Sequence, residues 1–375
     1  MAKQCSSFES DNEKNKQEIN EMKFYKNDSQ TAVAAKESAQ RLAFAPFAFH
    51  TARTLRDLGI LKALQDFDEA GADSASLAQI TGVSEYGVGV LLDMGLSAGL
   101  VTWEEKRYRL TKLGYYVDFD AMTIANMNFV ADVCYQGLSE LTESIRESKP
   151  AGLKHLGDWA TVYEGLSQLQ PEAKRSWFEF DHYYSDRSFP VLLETVFSQK
   201  TETLCDIGAN TGKWTLQCCK HNSDVEVTMV DLPQQLKVAL ENTSKAGFQS
   251  RVQAKACDLL ESSNRLPKGL DVYWMSQFLD CFSKQEIVSI LSRVRQAMRP
   301  DSRVFILELF PDCQEFESSS YAMNATSLYF TTIANGNSRF YMSHEFLPLI
   351  EAAGLKVKKQ SHGIGLGHSL LECGI

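Results

Sequence analysis

The residues with the clearest chemistry lie in the segment LCDIGANTGKW, residues 204–214. A short apolar run ends at Asp206 and leads into a turn that contains Gly208 and Gly212, with a helical pattern after it. Glycine has no Cβ atom, so such a turn can be tight and a ligand can approach its backbone closely. The first residues of a helix also carry backbone N–H groups without intrahelical partners. The segment therefore predicts a strand, a glycine loop and a helix that hold a nucleotide-like cofactor.

The spacing of the loop argues against two common kinds of nucleotide site. A P-loop needs four residues between its first glycine and a Gly-Lys pair followed by Ser or Thr. Here only three residues intervene, and Trp214 follows the pair. The dinucleotide fingerprint G-x-G-x-x-G fails as well, because Asn210 and Lys213 occupy its second and third glycine positions. The pattern that remains is D-x-G-x-x-x-G, with acidic residues at the ends of the next two strands.

Those acidic residues are Asp231, in VEVTMVDLP, and Asp258, in RVQAKACD. Asp231 lies 23 positions after Gly208, and its carboxylate oxygens can accept hydrogen bonds from both hydroxyl groups of a ribose. Asp258 is placed to lie near the edge of an adenine ring. Three strand-end acids in series, with Asp206 as the first, indicate a site for an adenosyl group.

These residues need a sheet that brings the strand ends together. From residue 201 onward, apolar runs of strand length alternate with helical patterns, which predicts an α/β fold with a parallel sheet between helices. The predicted strands are 202–208, 225–231, 251–257, 270–276 and 302–309. KVKKQSHG and HSLLECGI, residues 356–363 and 368–375, predict an antiparallel hairpin at the end of the sheet. Ligands bind such sheets at the carboxyl ends of the strands. The residues predicted to lie there are Gly208, Asp231, Asp258 and Gln277.

Residues 31–120 predict a second domain of helices followed by a small hairpin. Apolar residues recur there at intervals of three and four, and Ser84 is placed to cap a helix that ends near Ala98. Short strands at 100–103 and 108–111 follow, so the pattern is that of a winged helix.

A winged helix can bind DNA, and a ligand-responsive transcription regulator is the alternative from another functional class. The helix that would enter the groove, EYGVGVLLDMGLSAG, carries Glu85 and Asp93 and neither Lys nor Arg. Contacts with phosphates and base edges use mostly basic or amide side chains. The N-terminal pattern therefore favours a dimerisation module over DNA binding.

Composition sets the broad class of the protein. The length of 375 residues, with 44% hydrophobic and 23% charged residues, fits a globular protein of two domains. The net charge of −10 argues against non-specific nucleic-acid binding. No apolar run approaches the roughly 18 residues of a membrane span, and the polar N-terminus lacks the apolar core of a signal peptide. Nine cysteines without paired spacing indicate reduced thiols and a cytoplasmic location, and seven histidines show no metal-ligand grouping.

Three motifs together resemble the S-adenosylmethionine-dependent small-molecule O-methyltransferases, which include plant caffeate and hydroxyindole enzymes and bacterial polyketide methyltransferases. The strongest is MVDLPQQL, residues 229–236, with Asp-Leu-Pro after the second strand. FDHYYSDRSF, residues 180–189, is similar to the family's cofactor-covering helix, and SLYFTTIANG, residues 327–336, to the segment before its late helix. The likeness extends over roughly residues 35–375. It implies a Rossmann-like class I methyltransferase sheet with a terminal antiparallel hairpin, preceded by a winged-helix dimerisation domain.

The resemblance also implies which residues bind S-adenosylmethionine. Gly208 and Gly212 would line its methionine portion, and Asp231 would bind the ribose hydroxyls. Asp206 and Leu232, beside these residues, complete the part of the site formed by the first two strands.

The remaining part of the cofactor site would come from the third strand and from the helical side. Asp258 and Leu259 would flank the adenine. Tyr184 and Ser188 would cover the cofactor. No metal enters this prediction.

The resemblance breaks at the residue expected to act as a base. Ser276 and Gln277 lie where the fourth strand exits towards the sulfonium, and the family then has a histidine in a His-Asp-Trp-Ser-Asp-Glu run. This chain reads QFLDCFSKQE, with Asp280 in the histidine's place. An ordinary Asp has a pKa of about 3.9, although burial can raise it. Asp280 is therefore a base, a hydrogen-bonding partner of the substrate, or the N-cap of a helix that starts near Ser283, although Ser283 itself competes for that cap. Glu308, at the end of the fifth strand, either orients the base, as in the family, or faces water.

The sequence thus predicts a cytoplasmic, homodimeric methyltransferase that moves a methyl group from S-adenosylmethionine to a hydroxyl of a small aromatic or polyketide-like acceptor. Asp280 and Glu308 are the predicted catalytic residues. Because the usual histidine is absent, the alternative within the fold is a member that methylates nitrogen or carbon, or that binds the cofactor without methylating. The predicted domains are a mobile tail (1–30), a winged-helix dimerisation domain (31–120), a helical linker and pocket wall (121–200) and a cofactor-binding domain (201–375).

Overall fold

The computed structural model describes residues 23–185, 188–261 and 263–375. Most of the predicted N-terminal tail, and Asp186 and Arg187 of the FDHYYSDRSF motif, lie outside these described residues. The chain folds into two compact units, one of Asn27–Asp132 and the other of Val133–Ile375 together with residues 23–26. Within the described part of the chain, no helix is long and apolar enough to cross a membrane, and no cysteine forms a disulfide bond.

The first unit consists of helices and one hairpin. Its helices are α1 (Ala32–Ala43), α2 (Ala45–Asp57), α3 (Ile60–Phe67), α4 (Ser74–Thr81), α5 (Glu85–Ser97), α6 (Lys112–Phe119) and α7 (Ala121–Phe129). Strand β1 (Val101–Glu104) pairs antiparallel with β2 (Arg107–Leu110). Ser84 caps α5 as predicted, because its Oγ accepts a 3.1 Å hydrogen bond from the N–H of Gly87. The fully buried core is formed by Leu55, Ile60, Leu61, Leu64, Leu77, Val88 and Leu92. The predicted order of helices followed by a two-stranded wing is confirmed.

The second unit begins with helices and continues with a sheet. The first helices are α8 (Leu141–Glu147), α9 (Val162–Gly165), α10 (Pro171–Ser185) and α11 (Phe189–Val196). The strands are β3 (Thr203–Ile207), β4 (Glu226–Asp231), β5 (Val252–Ala256), β6 (Val272–Ser276), β7 (Arg303–Glu308), β8 (Lys356–Ile364) and β9 (His368–Gly374). The helices between them are α12 (Lys213–His221), α13 (Pro233–Lys245), α14 (Lys284–Ala297), α15 (Glu317–Tyr329) and α16 (Ser343–Ala352).

The sheet has the strand order β5-β4-β3-β6-β7-β9-β8. Strands β3 to β7 run parallel, whereas β9 is antiparallel to both β7 and β8. All five predicted parallel strands occur within one or two residues of their predicted bounds. Four of them are short, mostly apolar runs in a sheet covered on both faces, whereas the edge strand β5 is largely exposed. The predicted fold class is confirmed. Strands β4 and β5 lie on one side of β3, and β6 and β7 lie on its other side. The strand order therefore reverses at β3, and ligands bind at the carboxyl ends of the strands at such a switch point.

Two tryptophans fix the helix that follows the glycine loop against the sheet. Trp214, in the first turn of α12, stacks on Trp274 of β6 with ring centroids 3.9 Å apart and an interplanar angle of 14°. Both side chains are buried. Offset-stacked aromatic pairs contribute roughly 0.5–1.5 kcal/mol beyond the area they bury, so this pair helps to hold the start of α12 at the carboxyl end of β3.

Candidate active site

The glycine loop, residues 208–212, joins β3 to α12. Gly208 and Gly212 have φ angles of +75° and +79°, a left-handed conformation that residues with a Cβ atom rarely adopt. Asp206, two residues before Gly208, is 2% exposed, and its Oδ2 accepts a 2.6 Å hydrogen bond from Oγ1 of Thr215 in α12. Burial raises the pKa of Asp206 to about 7. The side chain of Asp206 therefore ties the strand to the helix on either side of the loop.

Asp231 ends β4 beside the glycine loop and contacts it. Its Oδ2 accepts a 2.8 Å hydrogen bond from the N–H of Asn210, and its Oδ1 accepts a 2.7 Å hydrogen bond from the N–H of Leu232. Each carboxylate oxygen can accept about two hydrogen bonds, so each keeps a site for a ligand hydroxyl. The residue predicted to bind ribose thus lies against the loop predicted to hold the methionine portion.

The loop after β5 lies next to Asp231, because the N–H of Cys257 donates a 3.0 Å hydrogen bond to the carbonyl oxygen of Asp231. Asp258 is half-buried and Leu259 is buried. Arg293 of α14 donates a hydrogen bond to the carbonyl oxygen of Leu259. The sequence did not indicate this arginine, since its helix carries mostly apolar residues on the buried face.

On the other side of β3, a histidine joins two of the predicted cofactor-binding residues. Gln277 follows Ser276, the last residue of β6, and its Oε1 lies 3.1 Å from Nε2 of His368. Nδ1 of His368 lies 2.9 Å from Oγ of Ser188. Ser188 and His368 are both buried. Sequence reasoning missed His368, which starts the last strand and is separated from Gln277 by 91 residues.

Helix α10 contacts the glycine loop directly. Asp181 accepts a 3.2 Å hydrogen bond at Oδ2 from Nδ2 of Asn210. Tyr184, the other residue predicted to cover the cofactor, is half-buried one turn later, with its ring centroid 5.3 Å from that of Phe180. The predicted covering helix therefore lies beside the loop, and Asp181 is a contact that the sequence did not single out.

The loop also holds polar atoms that a ligand can satisfy. Oδ1 of Asn210 and Oγ1 of Thr211 are buried and make no hydrogen bond within the described residues. An unpaired buried polar atom costs roughly 1–3 kcal/mol, so a bound ligand with hydrogen-bonding groups would stabilise the loop. These atoms, the left-handed glycines and the carboxylate of Asp231 fit an adenosyl and amino-acid cofactor such as S-adenosylmethionine.

Two buried acidic residues lie next to this site. Asp280, in a turn after β6, is 5% exposed, and Glu308, the last residue of β7, is 1% exposed. Oε1 of Glu308 accepts hydrogen bonds from the N–H groups of Phe278 and Leu279, at 3.1 and 2.8 Å. Glu308 therefore fixes the backbone that carries Asp280, and the possibility that it faces water is wrong.

The acidity of this pair is strongly altered. Burial raises the pKa of Asp280 to about 7, and the charge of Asp181 acts in the same direction. Burial, together with the charge of Asp280, raises the pKa of Glu308 well above its usual range. Groups that interact in this way titrate as a pair, and a carboxyl group that titrates near neutral pH is suited to accept or donate a proton there.

The helix after Asp280 has a different N-cap. Oγ of Ser283 accepts a hydrogen bond from the N–H of Glu286, and the Glu286 carboxylate accepts one of 2.7 Å from the N–H of Ser283. This reciprocal pair is a capping box. The interpretation of Asp280 as the cap is therefore wrong, and its side chain is left for another role.

Residues far along the chain hold the turn that carries Asp280. Nδ2 of Asn335 donates a 2.6 Å hydrogen bond to the carbonyl oxygen of Cys281, and the hydroxyl of Tyr341 donates one of 2.7 Å to the carbonyl oxygen of Phe282. Asn335 belongs to the SLYFTTIANG motif, which was the available signal for it. Tyr341 carried no such signal.

Aromatic side chains lie close to the same turn. Nε1 of Trp177 donates a 2.7 Å hydrogen bond to the hydroxyl of Tyr329, and both side chains are buried. Burial raises the pKa values of Tyr163 and Tyr329 well above their usual range, and the nearby thiol of Cys281 adds to the effect on both. Tyr163, in the aromatic-rich segment 121–200, therefore lies next to Cys281.

The glycine loop, the strand-end acids and the seven-stranded, mainly parallel sheet define a class I methyltransferase domain. A family model of an O-methyltransferase domain matches residues 179–356. A second model, of a Dimerisation2-like domain, matches residues 36–108. The chain thus carries an O-methyltransferase domain after a Dimerisation2-like domain, and it is a methyltransferase with S-adenosylmethionine as its cofactor. The predicted family, cofactor and enzyme class are confirmed.

Curated relatives include enzymes that act on phenolic compounds. The L-tyrosine C(3)-methyltransferase of Streptomyces lavendulae is 22% identical over 267 residues, which cover 70% of this chain and 72% of that protein. The 3-hydroxy-5-methyl-1-naphthoate 3-O-methyltransferase of Streptomyces sahachiroi is 24% identical over 301 residues, which cover 80% of this chain and 83% of that protein.

Solved structures share the fold. The methyltransferase SibL superposes with a TM-score of 0.69 at 20% identity and covers 90% of this chain and 98% of its own. The mitomycin 7-O-methyltransferase MmcR has a TM-score of 0.68 at 20% identity and covers 91% of this chain and 98% of its own. The O-methyltransferase NcsB1, solved with S-adenosylmethionine and 2-hydroxy-5-methyl naphthoic acid, has a TM-score of 0.63 at 20% identity, with 87% and 95% coverage.

Proposed function

We propose that this enzyme methylates a hydroxyl group of a small aromatic acceptor and that Asp280 accepts the hydroxyl proton. The observation that carries the proposal is the burial of Asp280, at 5% exposure, two residues after Phe278 in the turn that Glu308 holds. Its pKa of about 7 leaves a substantial fraction ionised at neutral pH. The O-methyltransferase family model and the naphthoate O-methyltransferase among the relatives support an aromatic hydroxyl as the target.

The residues of this chain have three tasks in such a reaction. The cofactor supplies a methyl group on a sulfonium, which is already reactive towards an oxygen nucleophile. The glycine loop and Asp231 hold the cofactor, and the aromatic side chains of Trp177, Tyr163 and Tyr329 form a dry wall for a flat acceptor. Asp280 takes the proton from the acceptor oxygen as that oxygen becomes the nucleophile. Alignment of the reacting atoms supplies much of the rate enhancement, and a positioned base adds about 10²–10⁴-fold.

The proposal also assigns the remaining cofactor-binding positions. Gly208 and Gly212 line the methionine portion, and Asp258 with Leu259 flanks the adenine. These assignments are supported by the hydrogen bond from Cys257 to Asp231, which sets the third strand end beside the second. We propose that Tyr184 and Ser188 cover the cofactor, and that Ser276 and Gln277 contact it where β6 ends.

We further propose that the enzyme is a homodimer assembled through its first unit. The match to a Dimerisation2-like domain supports this. Helix α1 has no buried residue, and four large apolar side chains on and between α1 and α2 are exposed. They are Val33 at 70%, Leu42 at 77%, Phe44 at 58% and Phe47 at 66%. Exposed apolar patches of this kind mark association surfaces.

The function is tested by incubating the enzyme with S-adenosylmethionine that carries a labelled methyl group and a panel of hydroxynaphthoates, catechols and simple phenols. We expect label in a methyl ether of at least one phenol, identified by mass spectrometry and NMR. Label on a ring carbon would overturn the hydroxyl assignment. Label in an aniline but in no phenol would overturn it as well.

A further inference from the structure

A chain of three polar side chains, two buried and one half-buried, connects the cofactor-covering side to the end of β6. Ser188 precedes α11, His368 begins β9, and Gln277 follows β6. The two contacts are 2.9 Å, between Oγ of Ser188 and Nδ1 of His368, and 3.1 Å, between Nε2 of His368 and Oε1 of Gln277. Ser188 and His368 are each fully buried. Polar groups buried to this extent are costly unless paired, so the chain is a built feature of this site.

The partners fix which ring nitrogen of His368 carries its proton. Oε1 of Gln277 can only accept a hydrogen bond, so Nε2 of His368 must donate. A neutral imidazole has one N–H, and Nδ1 is therefore an acceptor to which the hydroxyl of Ser188 donates. Burial lowers the pKa of His368 to about 4, so this arrangement holds throughout the neutral range.

The orientation of Gln277 follows from this contact. Its amide oxygen is held by His368, so its amide nitrogen points the other way. That nitrogen makes no hydrogen bond to any residue in the described part of the chain, nor is it among the buried unpaired atoms. Gln277 also has a positive φ of 46°, a conformation that costs a non-glycine residue roughly 1–3 kcal/mol and that the surrounding structure must hold in place.

The hairpin turn before His368 packs onto the other end of the chain. Gly365 approaches Ser188 so closely that a Cβ atom on Gly365 would lie 2.4 Å from the Ser188 hydroxyl oxygen. The C-terminal hairpin therefore holds Ser188 by contact as well as by the hydrogen bond. The start of α11 is thereby tied to the strand end at Gln277.

We infer that His368 is a positioning residue of the cofactor site: it turns the amide N–H donors of Gln277 towards an acceptor oxygen of S-adenosylmethionine and holds Ser188 over the cofactor. This inference rests on the proposed placement of the cofactor beside Gln277. No contact of His368 itself with the cofactor is required. Its effect is transmitted through Gln277 at one nitrogen and through Ser188 at the other.

The two contacts of His368 can be separated by two amide substitutions. In His368→Gln, the amide nitrogen occupies the place of Nε2 and can still donate to Gln277, while the contact with Ser188 is lost. In His368→Asn, the amide oxygen occupies the place of Nδ1 and can still accept from Ser188, while the contact with Gln277 is lost. His368→Phe removes both. The matched control is His362→Asn, because His362 lies on β8 of the same hairpin, with Nδ1 2.8 Å from Oγ of Ser369.

The readout is the affinity for S-adenosylhomocysteine, measured by isothermal titration calorimetry, with the KM values of both substrates as a second measurement. We expect His368→Phe to weaken S-adenosylhomocysteine binding about tenfold or more, and each amide variant to show part of this loss. We expect KM for S-adenosylmethionine to rise and KM for the acceptor to stay the same. His362→Asn should change the affinity by no more than about twofold.

Equal affinity in wild type, His368→Asn, His368→Gln and His368→Phe would overturn the inference. A fall in melting temperature in these variants without a change in S-adenosylhomocysteine affinity would also overturn it, since it would show a purely structural role. If His368→Phe does not fold, the two amide variants decide the matter in the same assay. Binding of S-adenosylhomocysteine needs no acceptor, so a wrong assignment of the acceptor or of Asp280 as base would appear only in the transfer assay.

Discussion

Oε1 of Glu308 accepts a 2.8 Å hydrogen bond from the backbone N–H of Leu279, the residue directly before Asp280. The last residue of β7 thereby fixes the turn after β6, and β6 and β7 are adjacent strands of the sheet. A carboxyl group that is 1% exposed and accepts two backbone N–H groups holds its neighbours rigidly. The turn that carries the proposed base is therefore held by a strand of the sheet. Strands and helices position an active-site group more precisely than loops do.

Replacement of Asp280 separates its role as a base from other roles. Asp280→Asn keeps the shape of the side chain and removes its capacity to take a proton, so we expect kcat to fall about a hundredfold or more. Asp280→His introduces the histidine that the O-methyltransferases described above have at this position, and we expect the variant to retain much of the activity. S-adenosylhomocysteine affinity, measured by calorimetry, should be unchanged in both and serves as the control. Turnover of Asp280→Asn at the wild-type rate would remove Asp280 from the base role.

The same residue predicts a pH dependence of catalysis. Burial raises the pKa of Asp280 to about 7, and the group acts as a base only when ionised. We therefore expect kcat/KM to rise as the pH increases through about 7 and to level off above it. Initial rates between pH 5.5 and 9 test this, with Asp280→His as a comparison whose curve should shift. A flat wild-type profile over this range would contradict the assignment.

Glu308 is expected to act through the hydrogen bonds it accepts. Glu308→Gln keeps an acceptor oxygen for the N–H groups of Phe278 and Leu279, whereas Glu308→Ala leaves both unpaired. A buried unpaired N–H costs roughly 1–3 kcal/mol, so the Ala variant should lose stability in urea unfolding and lose most of kcat. The Gln variant should stay close to wild type in stability and retain more of kcat. Equal losses in the two variants would show that the charge of Glu308, and not its position, matters.

The sequence predicted the parts of this site that are local patterns. Gly208, Gly212 and Asp231 could be predicted as candidates because a glycine loop and a strand-end acid are recognisable within a few residues, and in the structure Asp231 contacts this loop. His368 and Asn335 were missed because their contacts join residues separated by 91 and 54 positions, and no single-sequence periodicity encodes such pairs.

The N-cap at Ser283, by contrast, can be predicted from residues that are close together in the sequence. The spacing Ser283-x-x-Glu286 is itself a capping-box signal, and it favours Ser283 over Asp280 as the cap. The burial of Glu308 could not be predicted from the sequence, because its exposure depends on how the hairpin β8–β9 and the turn at Leu279 pack around it. Sequence patterns placed Glu308 at a strand end, but only the fold shows that this end is covered.

Burial of Asp206 predicts how stability varies with pH. Its pKa is raised to about 7 in the folded chain, compared with about 3.9 when unfolded. The native state therefore binds more protons between these values, so this group's stabilisation is present below about pH 4 and is lost as the pH rises through about 7. Asp206→Asn removes the titration and can still accept the hydrogen bond from Thr215. We expect the variant to gain stability relative to wild type at pH 8 compared with pH 5, by about 1.4 kcal/mol for each pH unit between pH 5 and the folded pKa of about 7.

Urea unfolding at the two pH values provides this measurement, and Asp224→Asn is a suitable control because Asp224 is exposed. Only the change in the difference between variant and wild type is informative, since other groups titrate as well. A difference for Asp206→Asn that is the same at pH 5 and pH 8 would contradict the prediction.

Asp231 is expected to govern cofactor affinity. Replacement by Asn puts an NH2 group in place of one oxygen, next to the N–H groups of Asn210 and Leu232 that now donate to the carboxylate. It also removes a charged acceptor for a ribose hydroxyl, a kind of hydrogen bond that contributes about 1.5–3 kcal/mol. We expect the S-adenosylhomocysteine dissociation constant to rise about tenfold to a hundredfold. Glu226→Gln, at the exposed start of the same strand, is the matched control and should bind as wild type does.

The exposed apolar side chains of the first unit predict its oligomeric state. Leu42 and Phe47 are 77% and 66% exposed in a single chain, and burying a large apolar side chain contributes roughly 1.5–3 kcal/mol. A charge placed at a buried position of an interface is costly, so Leu42→Asp with Phe47→Asp should convert a dimer into monomers. Size-exclusion chromatography with light scattering measures the mass directly. Val191→Asp is the control, because Val191 is 61% exposed on α11 of the other unit and should leave the dimer intact. A wild-type enzyme that elutes as a monomer at micromolar concentration would refute the proposed assembly.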